Sequence, residues 1–586
     1  MPRRVIGSSL SGRIWHMLKV IRNIIFKHPQ WTLFICAVFV RTSTVFFGDF
    51  VWLDRGDIIS GRAIVPLDSL PSAFFTRFAD TGFYRPIITI ILSLLSEWFG
   101  PWQPAYHVIS MAAHAGVVVT AYRLFEWIYR TNRTDMTNRL LWRNKSFSRG
   151  AFLAAFIIAV HPGAWFTIGA VSNLPDLVMS LFLLMSLYSF LAGSRWAVVY
   201  ALLAIFSKET AIVLVPAYWG IVQMSFMGSM SLMGMMGPMR KRMLLWGGLV
   251  GVVVIYGVLR FIAVPEVWRV SAIPLSWDQW IGVWVFTMYR MMITIFSPFL
   301  PAIGDVTPVG IGEIGAIRVI GGIAALGILG MLGLRWFTAK SMTFTLFILL
   351  LLVSAAPALN LVPLPRFWQL NYAYLPIVWT AGLVGLGIGR IRGIREIGVI
   401  RERRERGDGG FLRRGAWLVL VVWISLGAYS SFTAGFRLVD DRALFTPEVS
   451  REPRYREGHY YLGNFYWRSG DLSRAEEHFT HASKEDTSVI SFHDYHSAVI
   501  NLAGVYFGQK RFEEADALLA GIQDEVYGMN RELVLYNRAT IAYERGDYDE
   551  AVSLLEQLPR PFSRVEYARF YGLIKDSLDQ KNRNPE

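Results

Sequence analysis

Of the 586 residues, 53% are hydrophobic and 17% are charged, an apolar excess that a single water-soluble domain could not bury. The formal charge of +14 is unevenly spread: Pro453–Glu586 holds 16 Lys/Arg against 22 Asp/Glu, which leaves +20 for the rest, gathered in short stretches between apolar runs. That distribution excludes a nucleic-acid-binding face, and a single cysteine, Cys36, excludes a disulfide framework or a thiolate metal site.

Residues 1–30 form a basic N-terminus with six Lys/Arg. The apolar run 31–47 that follows lacks a small-residue cleavage site and reads as a retained signal anchor. Residues 130–149, the trio Arg240, Lys241 and Arg242, and nine arginines between Arg390 and Arg414 are further basic blocks, as cytoplasmic loops are marked by the positive-inside bias. With the N-terminus inside, the first outer loop is 48–104, carrying Asp49, Asp54, Asp57, Asp68 and Asp80. Run 86–99 is short for a bilayer and ends at Gly100-Pro101, so it is expected flat on the outer face. Runs 105–128, 151–171 (bent at Pro162), 174–192, 196–206, 209–226 and 244–263 are expected to cross. The short run 196–206 is expected to continue through Ser207-Lys208-Glu209 as a broken helix. Parity then requires that 279–297, with Arg290 inside it, does not cross, whereas 315–333, 342–360, 374–389 and 416–434 do. The expectation is an α-helical polytopic membrane protein of about eleven transmembrane helices spanning 31–436, then a linker at 437–455.

Residues 456–586 read as an α-solenoid of tetratricopeptide repeats. Leu462, Gly463, Tyr466, Ala475, Phe479 and Ala482 mark one hairpin. Leu502, Ala503, Tyr506, Ala515 and Leu519 mark a second, and Leu535, Ala539, Gly546, Ala551 and Leu555 a weaker third. The concave face of such a stack holds extended peptides. With an odd number of crossings the repeats lie outside the cytosol, in a periplasm or an ER lumen.

Several short motifs fall in order along the chain: Phe50-Val51-Trp52 with Asp54, Tyr84-Arg85-Pro86, Tyr106-His107 with His114, His161-Pro162, and Ser207-Lys208-Glu209. Asn360-Leu361-Val362-Pro363, Tyr374-Leu375-Pro376 and Ala443-Leu444-Phe445 follow. Together with the repeats, over roughly residues 30–560, they resemble the polytopic O-mannosyltransferase-like proteins of the glycosyltransferase C superfamily. Leu53 stands where that family has the first of two acids, and Leu370-Asn371-Tyr372 where it commonly has Glu-Arg before an aromatic.

The resemblance implies transfer of a sugar, mannose in the family, from a polyprenyl-phosphate donor to protein hydroxyls on the outer side, with inversion. Such a reaction needs a base for the acceptor and cations for the phosphate leaving group. Asp54 is the first candidate for the base and Asp57 the reserve, on the same face if the segment is helical. Arg85, Lys208 and Arg366 are candidate phosphate ligands; Arg85 could equally snorkel to lipid headgroups. His107 and His114, seven apart on one helix face, together with His161 and Glu209, are candidates to line a cavity, though His161 before Pro162 also suits a helix-break cap. Lys208 and Glu209 either neutralise each other in a bend or serve that cavity. No metal-site spacing is present, so a divalent ion is neither implied nor excluded; the donor lipid is the one cosubstrate. A reading from a different class is a catalytically silent membrane scaffold that recruits an extracytoplasmic partner through its repeats.

Overall fold

The structure is a computed structural model. It describes residues 27–583 apart from 80, 132–147, 227–238, 266–274, 305, 309–311, 313, 339–341, 360–365, 397–407, 485, 487, 491 and 493. The basic residues of 1–26, most of the 130–149 block, Asp80 and Asn360-Leu361-Val362-Pro363 therefore lie outside the described residues. Two compact units divide the chain: Met1–Ile303 with Gly310–Asp440, and Gly304–Val309 with Asp441–Glu586.

The described part of the first unit is helical. Its α-helices are α1 (Pro29–Phe39), α2 (Thr42–Phe47), α3 (Pro86–Phe99), α4 (Gln103–Thr131), α5 (Arg149–Val160), α6 (Trp165–Gly169), α7 (Leu174–Leu191), α8 (Trp196–Ser207), α9 (Leu214–Phe226), α10 (Met239–Ala263), α11 (Trp277–Phe296), α12 (Ala316–Thr338), α13 (Met342–Ala355), α14 (Tyr374–Glu396) and α15 (Asp408–Thr433). Their breaks follow local chemistry. Pro162 lacks an N–H, and the chain bends by 50° between Arg149–Val160 and Pro162–Gly169. Gly100 closes α3 at φ +55, a conformation that costs glycine nothing.

Six helices among the described residues are long and apolar enough to cross a membrane, or seven if the bent pair counts as one span. Several turn large apolar side chains outward, including Phe39 on α1, Val254, Val258 and Phe261 on α10, and Leu418 and Val419 on α15. A helix facing water does not carry such a stripe. Pro86–Phe99, Trp196–Ser207, Ala316–Leu332 and Thr343–Leu359 are shorter apolar helices, and neither Leu214–Phe226 nor Trp277–Phe296 is among the spans, so the expected eleven crossings exceed what the described helices show by length. The expected broken helix is present: α8 ends at Ser207, Lys208 is extended, and a 3₁₀ turn Glu209–Val213 leads into α9.

The bundle interior closes on small residues. A Cβ on Gly150 would strike the carbonyl of Gly385, and one on Gly385 the carbonyl of Gly150, so α5 and α14 pack backbone to backbone.

The second unit opens with α16 (Asp441–Arg451), so the expected linker 437–455 is instead partly a helix with buried Leu444 and Phe445. Three helix hairpins follow: α17 (Arg456–Arg468) with α18 (Leu472–Ala482), α19 (Tyr495–Gly508) with α20 (Phe512–Ile522), and α21 (Gly528–Glu544) with α22 (Tyr548–Glu556), closed by α23 (Val565–Arg583). Ala475, Ala515 and Ala551 are fully buried, and a Cβ on Gly463 would lie 2.7 Å from the Phe479 ring. Strand β1 (Thr307–Pro308), contributed from between α11 and α12, pairs antiparallel with β2 (Val489–Ile490) between the first two hairpins.

Replacing Gly385 by Leu should destabilise the bundle by about 1–3 kcal/mol through overpacking, read as a lower melting temperature in detergent. Gly387→Leu, at a position with open space, should leave it near the wild-type value.

Candidate functional site

The polar residues of the first unit converge near the start of α7. Asp54 follows a tight turn in which Trp52 takes φ +56, a left-handed conformation that a bulky residue holds only when its surroundings impose it. The Trp52 ring is held by Phe166, 5.3 Å between centroids, and by the Arg366 guanidinium 5.2 Å above it. The turn directs Asp54 inward. Its carboxylate accepts the backbone N–H of Val171 at 3.0 Å and of Ser172 at 2.6 Å, donors left free where a helix begins. Asp54 is 0% exposed, so this acid of the expected first outer loop is enclosed. The polar contents of the loop fold inward because these N–H groups replace the water that the carboxylate loses. Burial pushes the Asp54 carboxyl up to about 7, against the pull of the two N–H groups.

Asp57 lies in a π-helical turn, Arg55–Ile59, a distortion common at functional sites. Its carboxylate binds Arg62 at 3.0 Å. Burial pushes the carboxyl up to about 6, opposed by the charges of Arg62 and Arg85. Asp54 and Asp57 thus make separate hydrogen bonds, yet the charge on Asp57 still raises Asp54.

Lys208 and Glu209 do not neutralise each other. Extended backbone at Lys208, φ −160 and ψ 134, turns successive side chains to opposite sides. Lys208 Nζ donates to both Asp176 oxygens at 2.7 Å, and Glu209 takes a bidentate pair from Arg85 at 2.9 and 3.2 Å. The Arg85 guanidinium also sits 4.1 Å from the Phe83 ring centroid. Asn371, in the turn before α14, donates to Asp176 at 2.8 Å. Asp176 is the member of this cluster that sequence reasoning missed; its signal was a lone acid two residues into an apolar run.

A cavity of about 30 Å³ lies beside this cluster, lined by Asp176, Ser180, Lys208, Asn371, Tyr372 and Tyr374 among others. The expected cavity residues His107, His114, His161 and Glu209 do not line it. His114 reaches its wall through a 2.7 Å hydrogen bond to the Tyr374 hydroxyl. His107 packs against Gly48. His161 caps the break after α5: its Nδ1 accepts the Gly163 N–H at 3.0 Å, which leaves Nε2 to donate to the Ile295 carbonyl at 2.9 Å. All three rings are buried, and of them only His161 has both nitrogens in the hydrogen bonds just given. Arg366 stays over Trp52 and does not line the cavity itself, although its backbone carbonyl accepts from the Tyr372 hydroxyl at 3.2 Å.

The structure therefore joins Lys208, Asp176 and Asn371 directly, and Arg85 with Glu209, while Asp54 stands on the 3₁₀ turn Val171–Asn173 that leads into the helix bearing Asp176. A tetratricopeptide repeat family model matches residues 533–557, the third hairpin. No curated protein and no solved structure matches the chain.

Asp176→Leu should cost about 3–5 kcal/mol by leaving the Lys208 ammonium buried without its counter-charge. The double replacement Asp176→Leu with Lys208→Met should recover most of that loss. Thermal unfolding of the four proteins of this cycle checks it; independent, additive losses would show that the pair is not coupled.

Proposed function

We propose that this chain is a membrane glycosyltransferase that moves a sugar, mannose by the family it resembles, from a polyprenyl-phosphate donor to protein hydroxyls on the extracytoplasmic side. The single observation that carries the reading is the buried Asp54 carboxylate, held on the start of α7 two turns or less from the Asp176–Lys208–Asn371 cluster.

A parity argument supports the topology. Points joined by hydrogen bonds lie at one level, so the chain between them crosses an even number of times. Asp49 bonds Leu438, Asp54 bonds Val171 and Ser172, Asp176 bonds Lys208 and Asn371, and Arg260 bonds Gly82. The first span and five returning pairs then make eleven crossings: α4 with α5–α6, α7 with α8, α9 with α10, α12 with α13, and α14 with α15. Helix α11 is left uncrossed, as the parity of the basic blocks along the sequence requires. Arg240 and Lys241 begin α10 at its opposite end, which favours a cytoplasmic N-terminus and extracytoplasmic repeats.

The chemistry balances as a single displacement. The acceptor oxygen attacks the anomeric carbon as its proton passes to a carboxylate; the bond from that carbon to the phosphate oxygen breaks, and polyprenyl phosphate leaves. Asp54 suits the base, since a carboxyl titrating near 7 is matched to neutral pH. The repeats hold the acceptor chain.

The silent-scaffold reading draws on one observation: both Asp54 oxygens are already engaged, and Arg85 and Lys208 each have an acidic partner. Turnover separates the two. With polyprenyl-phosphate mannose and a Ser/Thr-containing acceptor, Asp54→Asn should lower the rate by about 10²–10⁴-fold in protein whose melting temperature shows it folded. The wild-type rate should rise with pH and level off above about 7, because only the ionised carboxylate accepts the proton. Equal rates in the two proteins would leave the scaffold.

A further inference from the structure

The sequence assigned Lys208 to a donor phosphate. The structure argues for a different ligand there. The ammonium is matched by Asp176 on both carboxylate oxygens, 2.7 Å each, so the cluster carries no net charge, and a phosphate entering it would meet the Asp176 carboxylate. Two buried polar atoms on the cavity wall have no hydrogen-bond partner among the described residues: the Ser180 hydroxyl and the Asn371 side-chain carbonyl. Both residues are more than nine-tenths buried, Ser180 at 1% and Asn371 at 7% exposed. The Asn371 amide nitrogen is spent on Asp176, so its oxygen can only accept, whereas Ser180 can both donate and accept. Such orphaned groups are costly unless something completes them. About 30 Å³ gives room for roughly two oxygen-sized groups.

We propose that this cavity is a subsite for the hydroxyl edge of a neutral sugar. A hydroxyl both donates and accepts, which is what an acceptor on Asn371, a hydroxyl on Ser180 and the remaining N–H of Lys208 require; the phosphodiester of a polyprenyl-phosphate sugar carries no P–OH, only accepts, and would leave the Asn371 oxygen unanswered. The apolar wall formed by Met179 and Leu375, with Tyr372 and Tyr374 beside it, suits the C–H face of a pyranose. The inference rests on the glycosyltransferase reading for the source of the sugar, and it moves the phosphate contact away from Lys208.

Titration of the full chain in lipid nanodiscs tests it with three probes: polyprenyl-phosphate mannose, sugar-free polyprenyl phosphate, and methyl α-mannopyranoside observed by saturation-transfer NMR. Ser180→Ala removes one hydrogen bond, and Ser180→Thr fills part of the cavity with a methyl group. Both should weaken the sugar-bearing lipid about three- to tenfold, reduce the methyl mannoside signal, and leave the sugar-free lipid unchanged. Equal weakening of both lipids would make the subsite one for phosphate and overturn the proposal, and so would indifference of all three probes to both variants. A Ser180-dependent methyl mannoside signal without any sugar transfer by the wild type would uphold the subsite while removing the transferase reading.

Discussion

A charge enclosed by apolar helices must be answered by an opposite charge or by oriented backbone dipoles, and this constraint organises the first unit. Asp176 is answered by Lys208 and Asn371, Glu209 by Arg85, and Asp54 by the N–H groups of Val171 and Ser172. Arg41, 1% exposed, is answered by the carbonyl of His161 at 2.8 Å. Each bond joins parts of the chain far apart in sequence, and most of them meet around the start of α7. The helices supply the apolar framework, but these bonds decide which ends come together and therefore where a site can exist.

The framework was legible because apolar runs of helical length, broken at Pro162 and Gly100, leave little freedom. The repeats were legible for a similar reason: small residues at 475, 515 and 551 recur at one spacing and close each hairpin. The third repeat looked weakest because Arg538 stands where the first has Leu462; that arginine pays its way through Asp516 at 2.6 Å and Gln523 at 2.7 Å. The candidate site was legible only in part. Asp54, Asp57, Arg85, Lys208 and Glu209 were singled out, yet their partners were not. Lys208 and Glu209 look like a pair in sequence, and only the extended conformation at Lys208 turns them apart. Asp176 is bonded across 32 residues to Lys208 and 195 to Asn371, separations at which periodicity carries no information. Asn371 marks a departure from the family pattern, but in the structure it is a working hydrogen-bond donor.

The two units differ in chemistry. The first gathers buried acids and bases at one end of an apolar bundle. The second is a stack of helix hairpins of the kind that holds extended peptides, and it takes strand β1 from the connection between α11 and α12.

The central claim is that the first loop folds inward so that Asp54 rests on the 3₁₀ turn Val171–Asn173 that leads into α7. Cysteines at both positions, Asp54→Cys with Ser172→Cys in a chain whose Cys36 is replaced by Ala, measure this directly. The account predicts a disulfide on mild oxidation and little labelling of position 54 by a membrane-impermeant maleimide. Ready labelling of position 54 with no disulfide would contradict it.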